Sequence, residues 1–252
     1  MDAPSTLTLA RDHLIAYHRL SASGDGANIP GVVFLGGFHS DMTGTKARFL
    51  HDWAEREGRA FVRFDYRGHG ASSARFEEGC ISDWAADAAA VLAHLTEGPQ
   101  ILVGSSMGGW IALLLARQHP ERIAGLVGIA AAPDFTEDGL WSRLSPEQQR
   151  EVMEQGHLAM PSEYSDAPYI YTRRLIEDGR RNLLLRAPLP ITCPVRLLHG
   201  SADVDVPMDV ALRLVDRLEG PDTRLTLVKD SDHRFSGARE LAMITTAIEE
   251  LS

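Results

Sequence analysis

This sequence predicts an α/β fold in which a mostly parallel sheet is covered by helices on both faces. The first observation is that short runs rich in β-branched residues alternate with helical patterns along most of the chain. The second is that these runs are almost continuously apolar, which is typical of strands buried on both faces. The third is size, because 252 residues, 44% of them hydrophobic and 24% charged, are enough for one large domain with a full core.

The predicted elements follow from these patterns in chain order. Strands are expected at positions 6–9, 13–20, 32–35, 60–64, 101–103, 126–129, 195–198 and 224–228. Helices are expected at positions 45–57, 82–95, from 111 onward, 207–218 and 239–251. Gly58 is the expected end of the first of these helices, and Ser82 is the expected N-cap of the second.

The alternation breaks between about Pro133 and Pro190. This stretch is polar, contains Trp141 and three tyrosines, and predicts two or three helices. One of them begins at Ser145-Pro146, with proline in the first helical position, and another covers 169–181. Because the composition is not that of a linker, 133–190 is interpreted as a small helical lid inserted in a core formed by 1–132 and 191–252. A helical excursion without a functional role is the alternative.

A Gly-x-Ser-x-Gly sequence, Gly104-Ser105-Ser106-Met107-Gly108, stands where an apolar strand meets an apolar helix. The two glycines suit a sharp turn that leaves no room for Cβ atoms. Such a turn holds the Ser106 hydroxyl clear of the sheet, where the helix dipole and the N–H of Met107 favour a developing negative charge. The pattern predicts a serine nucleophile, and a glycine-serine turn without chemistry is the alternative.

A nucleophilic serine needs a base, and the base needs an acid that orients it. Both are expected at the carboxyl ends of later strands, where a parallel sheet opens. Asp203 follows the seventh predicted strand and His233 follows the eighth, which gives the chain order Ser…Asp…His. Asp205 is the rival acid, whereas Asp230 and Asp232 lie too near His233 in sequence to orient it readily.

The composition narrows the possible partners. There are 25 Lys and Arg against 35 Asp and Glu, a net charge of −10, which argues against nucleic acid or an anionic membrane as partner. Cys80 and Cys193 match no metal-ligand spacing and are expected to be free thiols. No motif suggests a cofactor or a metal, and no stretch suggests a signal peptide or a membrane span. The sequence therefore predicts a cytoplasmic protein of undetermined oligomeric state.

The chain resembles the α/β-hydrolases from end to end. Four motifs carry this likeness: Gly36-Gly37-Phe38, Asp65-Tyr66-Arg67-Gly68-His69-Gly70, Gly104-Ser105-Ser106-Met107-Gly108, and His199-Gly200-x-x-Asp203-x-x-Val206-Pro207 with the late His233. More narrowly, the chain resembles the abhydrolase-domain family of mitochondrial palmitoyl-protein thioesterases and mycophenolic acid acyl-glucuronide esterases. The supporting motifs are Gly44-Thr45-Lys46-Ala47, Met160-Pro161-Ser162-x-Tyr164-Ser165, Cys193-Pro194-Val195-Arg196-Leu197-Leu198-His199-Gly200 and Ser231-Asp232-His233-Arg234. The N-terminus does not resemble a transit peptide, which predicts a bacterial-type relative.

The resemblance implies a role for each matching residue. Ser106 would be the nucleophile, His233 the general base and acid, and Asp203 the residue that fixes the imidazole tautomer. The backbone N–H groups of Phe38 and Met107 would form the oxyanion hole.

Two further residues are candidate substrate contacts. His39 follows the expected oxyanion donor, and Tyr164 lies in the lid stretch that resembles the acyl-glucuronide esterases. Either side chain could contact a leaving group, and a purely structural role is the alternative.

The resemblance thus implies a serine hydrolase that forms an acyl-enzyme on Ser106. Its substrate would be a small-molecule carboxylic ester or acyl thioester, of the acyl-glucuronide or long-chain acyl thioester type. A C–C bond hydrolase or a cofactor-free perhydrolase would use the same three residues. A non-catalytic α/β-hydrolase scaffold is a further alternative, since fold does not imply function, although the complete Ser, Asp and His set argues against it.

Overall fold

The computed structural model describes residues 3–10, 12–162 and 165–252. The strands are β1 (Ser5–Ala10), β2 (His13–Leu20), β3 (Val32–Leu35), β4 (Phe61–Phe64), β5 (Gln100–Ser105), β6 (Ile123–Ile129), β7 (His157–Ser162), β8 (Ser165–Thr172), β9 (Val195–Gly200) and β10 (Thr223–Val228). The helices are α1 (Thr45–Arg56), α2 (Ile81–Leu95), α3 (Met107–Gln118), α4 (Pro146–Gln155), α5 (Arg173–Arg181), α6 (Met208–Arg217) and α7 (Ala238–Glu249). Within these ranges of the chain, no helix is both long enough and apolar enough to cross a membrane.

Eight strands of the described residues form one sheet, in the order β1-β2-β4-β3-β5-β6-β9-β10. The pairs β1–β2 and β2–β4 are antiparallel. The other neighbouring strands run parallel. The predicted strands are all present, and the prediction of a mostly parallel α/β sheet is confirmed.

Helices pack on both faces of this sheet. Side chains of α2, α3 and α6 belong to the larger buried cluster, and those of α1 and α7 belong to the smaller one. All six residues of the central strand β5 are buried. Leu102 packs in the larger cluster, while Ile101 and Val103 pack in the smaller one. Because either face of β5 meets a core, its sequence is apolar without alternation.

The segment 133–190, which we name the insertion, lies between β6 and β9 and combines helices, as the sequence predicts, with a β-hairpin that the sequence does not predict. It contains α4 and α5, but β7 and β8 pair as an antiparallel hairpin. The helix predicted over 169–181 begins only at Arg173, because 169–172 belong to β8. The prediction is wrong there because Tyr-Ile-Tyr-Thr, with aromatic and β-branched side chains, favours a strand.

The two helix starts predicted from capping differ in outcome. Ser145 is the N-cap of α4, and its Oγ accepts a hydrogen bond from the N–H of Gln148 at 3.3 Å. Ser82, by contrast, is not the N-cap of α2, which is Cys80 without a side-chain hydrogen bond. The N–H and Oγ of Ser82 instead donate to the carboxylate of Asp178 on α5, each at 2.8 Å. A partner on a distant element thus satisfies the first turn of α2.

Both cysteines are free thiols, as the sequence predicts. Burial raises the pKa of Cys80 to about 12 and the pKa of Cys193 to about 11. Because the thiolate is the reactive form, neither thiol is a competent nucleophile at neutral pH.

Candidate active site

Ser106 lies on the turn between β5 and α3, with φ of 53° and ψ of −117°. Its amide donates a hydrogen bond to the carbonyl of Ile129 at 2.9 Å. Its carbonyl accepts hydrogen bonds from the amides of Gly109 at 2.9 Å and Ala132 at 3.0 Å. A positive φ is unfavourable for a serine, and these three bonds hold the backbone in it.

The glycines on either side of Ser106 are required by close packing. A Cβ atom on Gly104 would lie 2.4 Å from the carbonyl oxygen of Gly108. A Cβ atom on Gly108 would lie 2.1 Å from the carbonyl oxygen of Leu35. Neither distance is possible for a real side chain, so the turn holds α3 against β3 and β5 only with glycine at both positions.

The structure brings Ser106, His233 and Asp203 together from three parts of the chain. The Nε2 atom of His233 lies 3.1 Å from the Oγ of Ser106. The Nδ1 atom of the same ring lies 2.8 Å from the Oδ2 of Asp203. His233 follows β10 and Asp203 follows β9, so neighbouring parallel strands deliver the two groups to the same edge of the sheet.

The carboxylate of Asp203 is fully buried and held on both oxygens. Its Oδ1 accepts hydrogen bonds from the amides of Asp205 at 3.0 Å and Val206 at 2.9 Å. Burial by itself would raise the pKa of Asp203, but the hydrogen bonds from His233 and Val206 outweigh it and lower the pKa below its ordinary value. Asp203 is therefore ionised at neutral pH and can pair with a protonated imidazole.

The rival carboxylates do not take this position. Asp205 lies near the ring of His233, but it is Asp203 whose oxygen meets Nδ1. Asp232 accepts a hydrogen bond from the amide of Phe235 at 3.2 Å. Among the described residues, Asp203, Asp205 and His233 form a group with metal-ligand spacing. Since Asp203 and His233 are already hydrogen-bonded to each other, the arrangement fits an acid–base pair better than a zinc site.

The two predicted oxyanion donors belong to segments that meet at Ser106. Met107 is the first residue of α3, directly after the serine. Phe38 lies in the loop after β3, and its neighbour Gly37 packs against the serine: a Cβ atom on Gly37 would lie 3.4 Å from the Cβ of Ser106. This placement is compatible with two backbone N–H groups pointing at one oxygen, and their function stays a prediction.

A cavity of about 650 Å³ contains Ser106 and His233 in its wall. Both the sheet and the insertion contribute to it. From the loops beyond the sheet come Phe38, His39, Asp205 and Arg234, and from the first turn of α1 comes Lys46. From the insertion come Phe135, Leu140, Arg143, Leu144, Met160, Tyr169 and Tyr171. The wall is largely apolar, and its charged groups are of both signs.

His39 lines this cavity, as expected for a substrate contact, but both faces of its ring are covered. Phe76 stacks on one face with ring centroids 3.5 Å apart, and Tyr169 stacks on the other at 4.0 Å. Burial lowers the pKa of His39 to about 4, so the ring is neutral at neutral pH. A substrate could therefore meet only its edge. The other predicted contact, Tyr164, lies outside the described residues.

Sequence reasoning missed Lys46 and the two tyrosines of β8 as residues of the site. The Nζ of Lys46 donates a hydrogen bond to the carbonyl of Arg234, directly after the candidate base. Burial lowers the pKa of Lys46 to about 8, although the charge of Asp232 acts in the opposite direction. A signal was present for each: Lys46 stands in a motif shared with the resembled esterases, and Tyr169 and Tyr171 alternate as strand residues do.

The comparisons with known proteins agree with this architecture. A profile of the alpha/beta hydrolase fold matches residues 32–156. The chain is 39% identical over 238 residues to "Palmitoyl-protein thioesterase ABHD10, mitochondrial" of Rattus norvegicus, covering 94% of this chain and 78% of the relative. A protein of known structure from Agrobacterium vitis S4 superposes with a TM-score of 0.92 at 43% identity, covering 98% and 97% of the two chains. Alpha/beta hydrolase domain-containing protein 10 from mouse gives a TM-score of 0.89 at 35% identity, covering 99% and 98%.

These comparisons overturn one expectation. The cytoplasmic location predicted from the sequence is wrong, because the curated relatives of that name are mitochondrial proteins. Unpaired thiols indicate a reducing environment without saying which compartment provides it. A targeting segment is not part of the packed fold, so neither the core nor the site carries that information.

Proposed function

Because this chain belongs to the ABHD10 family of α/β-hydrolases, we propose that it cleaves a carboxylic ester or thioester through an acyl-enzyme on Ser106. The observation that carries the proposal is the hydrogen-bonded relay from Ser106 through His233 to Asp203, with distances of 3.1 Å and 2.8 Å. Both distances lie within the range of about 2.6–3.2 Å that general base catalysis needs.

In this mechanism the Oγ of Ser106 attacks the acyl carbon while Nε2 of His233 takes its proton. The carboxylate of Asp203 holds the Nδ1–H and stabilises the imidazolium that forms. The N–H groups of Phe38 and Met107 donate to the oxyanion of the tetrahedral intermediate. His233 returns the proton to the departing alcohol or thiol, and the same base then activates the water that hydrolyses the acyl-enzyme.

The insertion would act as the lid of this site, over a core formed by 1–132 and 191–252. It supplies apolar side chains such as Leu140 and Met160 to the cavity that contains the serine. The cavity volume of about 650 Å³ lies within the range of about 300–1,000 Å³ that small-molecule sites occupy. An apolar wall of this kind suits the hydrocarbon part of an acyl group.

Two kinds of substrate would suit this cavity. The rat relative is named a palmitoyl-protein thioesterase, which supports a long-chain acyl thioester. The cations Lys46, Arg143 and Arg234 also line the cavity and would suit an anionic leaving group, such as the sugar carboxylate of an acyl-glucuronide. The first type uses the apolar wall and the second uses these cations.

The test is hydrolysis of nitrophenyl esters from acetyl to palmitoyl, and of one aryl thioester, by the wild type and Ser106→Ala. We expect Ser106→Ala to lower kcat by roughly 10⁶-fold, to the background rate. Ser105→Ala removes the neighbouring hydroxyl, which is buried, and serves as the matched control that keeps most of the activity. Undiminished turnover by Ser106→Ala, or a wild type that hydrolyses nothing and leaves Ser106 unlabelled by a fluorophosphonate, would refute the proposal.

The chain-length profile then separates the two substrate types. A kcat/KM that rises with acyl length and is retained on the thioester would support the long-chain acyl type. A preference for acetyl would place the specificity in the leaving group, and acyl-glucuronides would be the next substrates to assay.

A further inference from the structure

The loop that carries the Phe38 amide is a β-turn in a conformation that its sequence disfavours. The N–H of Ser40 donates to the carbonyl of Gly37 at 3.2 Å, and the Oγ of Ser40 donates to the same carbonyl at 2.7 Å. Phe38 and His39 are therefore the two central residues of the turn. His39 has φ of 57°, and a turn with positive φ at its third residue ordinarily takes glycine there. This conformation is less favourable for histidine than for glycine, so contacts around His39 have to offset its cost.

Two aromatic side chains of the insertion, together with Phe76, provide such contacts. The ring of His39 lies between Phe76 and Tyr169, at centroid distances of 3.5 Å and 4.0 Å and interplanar angles of 27° and 16°. The ring of Phe38 stacks on Tyr171 at 5.7 Å and 4°. Tyr169 and Tyr171 are alternate residues of β8, so their side chains project from the same face of the hairpin. One face of that hairpin thus covers both central residues of the turn.

The stacked rings are uncharged at neutral pH, which favours this packing. Burial lowers the pKa of His39 to about 4 and raises the pKa of Tyr171 to about 12. Because the rings are neutral, stacking them does not carry the cost of burying a charge. Each stacked pair also increases the buried apolar area. The contacts lie on the side chains of the turn and leave its backbone free to face the serine.

We propose that Tyr169 and Tyr171 are positioning residues that hold the turn so that the N–H of Phe38 points at the oxyanion formed on the Ser106 adduct. This inference rests on the proposed function. Neither tyrosine has to touch the reacting atoms, because each acts through the ring that it covers. Formation of the oxyanion hole is thereby coupled to the packing of Tyr169 and Tyr171 of β8 against the turn.

The test measures kcat and KM for p-nitrophenyl acetate, whose acetyl group is too small to depend on an extended acyl-binding wall. Removal of one oxyanion donor lowers kcat by about 10²–10³-fold. A donor that is present but points in the wrong direction should lower kcat by less. We therefore expect Tyr169→Ala to lower kcat by about 10–50-fold, with KM changed by less than about twofold. Tyr169→Phe keeps the ring and should retain the wild-type kcat. Tyr169→Leu keeps the apolar bulk but has no flat ring, so its kcat should fall as it does in Tyr169→Ala. The leucine variant replaces the alanine variant if the latter does not fold.

Affinity for phenylboronic acid distinguishes a displaced donor from a general loss of structure. The Oγ of Ser106 forms a bond to boron, its proton passes to His233, and a boron-bound oxygen occupies the position of the oxyanion. We expect the inhibition constant to rise by the same factor as kcat/KM falls in Tyr169→Ala and Tyr169→Leu, and to stay unchanged in Tyr169→Phe.

Three results would overturn the inference. Wild-type kcat in both the alanine and the leucine variants would show that the ring positions nothing. A raised KM with unchanged kcat would make Tyr169 a substrate contact, and lowered kcat with unchanged boronate affinity would exclude the oxyanion donor as the affected group. A wild type without Ser106-dependent turnover would refute the proposed function itself, so the two failures are distinguishable.

Discussion

Two walls enclose the cavity around Ser106, and they are held in different ways. The wall formed by the sheet depends on the backbone, because the amide and the carbonyl of Ser106 bond to neighbouring main-chain groups. Gly104 and Gly108 let strand and helix approach without any side chain between them. Positions in this wall are therefore fixed by elements that are buried on both sides, as β5 is.

The wall formed by the insertion depends on individual side chains. The carboxylate of Asp134, which is fully buried, accepts hydrogen bonds from the amides of Leu184 at 2.7 Å and Leu185 at 2.9 Å. The indole Nε1 of Trp110 on α3 donates to the carbonyl of Asn182 at 3.1 Å. The bonds of Asp134 connect two parts of the insertion, and the bond of Trp110 connects the insertion to α3. Each connection depends on one side chain and is lost when that side chain is removed.

The difference predicts two classes of variant. A substitution in the sheet wall should change the chemistry and leave the geometry of the fold intact. A substitution in the insertion wall should change stability or positioning first, and catalysis only as a consequence. Three changes, taken from the largest expected effect to the smallest, test this division.

Of these three changes, Asp203→Asn should produce the largest effect, a loss of about 10⁴-fold in kcat. The amide keeps the shape of the carboxylate but favours the wrong imidazole tautomer and leaves the imidazolium without a counter-charge. Asp205→Asn is the matched control: the amide of Asp205 donates to Asp203, but that donor is backbone and survives the change. We expect this variant to lose less than about tenfold. Steady-state kinetics with p-nitrophenyl acetate provides the measurement, and a greater loss in Asp205→Asn would transfer the role of the acid to that residue.

Asp134→Ala should destabilise the protein by about 2–4 kcal/mol, because it leaves the amides of Leu184 and Leu185 buried without a partner. Asp134→Asn keeps one acceptor oxygen and tolerates the positive φ of 61° at this position, so about half of that loss is expected. Urea unfolding followed by circular dichroism measures the change in the free energy of unfolding.

Limited proteolysis of the same variants shows where the structure has loosened. If the two walls are held independently, cleavage in Asp134→Ala increases within 133–190 before it increases in the core. Equal cleavage of core and insertion would contradict the division between the two walls.

The sheet and its site residues could be predicted from the sequence because local rules decide them. A strand buried on both faces is apolar throughout, as in Ile101, Leu102 and Val103. Such a strand can be predicted from its own residues, without knowing which strands lie beside it. The order of strands in a doubly covered sheet then places the residues after β9 and β10 at one edge, which brings Asp203 beside His233.

The insertion could not be predicted to the same extent, because distant partners decide its structure. Ser82 has the residue type of an N-cap, yet its amide and hydroxyl donate to Asp178, a residue 96 positions away. The residue types around Tyr169 and Tyr171 favour a strand, but their place in the site depends on packing against the turn that contains Phe38 and His39, a contact between segments far apart in the chain. Local propensity carries no information about tertiary contacts of this kind.

Loss of the positive charge of Lys46 should have the smallest effect of the three changes. It tests whether the sheet wall also recognises the leaving group of the substrate. Burial lowers its pKa to about 8. Since a lysine is cationic below its pKa, Lys46 is charged at pH 7 and loses that charge as the pH rises through about 8. A partly exposed ion pair contributes up to about 1 kcal/mol, or about fivefold in affinity. We therefore expect KM for an ester with a carboxylate on its leaving group to rise by up to about fivefold between pH 7 and pH 9, relative to a neutral ester of the same acid.

The ratio of the two KM values cancels every pH effect that the two esters share, because both are cleaved by the same catalytic groups. Lys46→Arg keeps its charge beyond pH 9, so the ratio should stay constant with pH. Lys46→Met carries no charge, so the ratio should be raised already at pH 7 and should not change further. A ratio that still rose with pH in Lys46→Met would assign the titration to another group and leave Lys46 as a structural donor to the carbonyl of Arg234. Recognition of an anionic leaving group would then fall to Arg143 of the insertion or to Arg234, which line the same cavity.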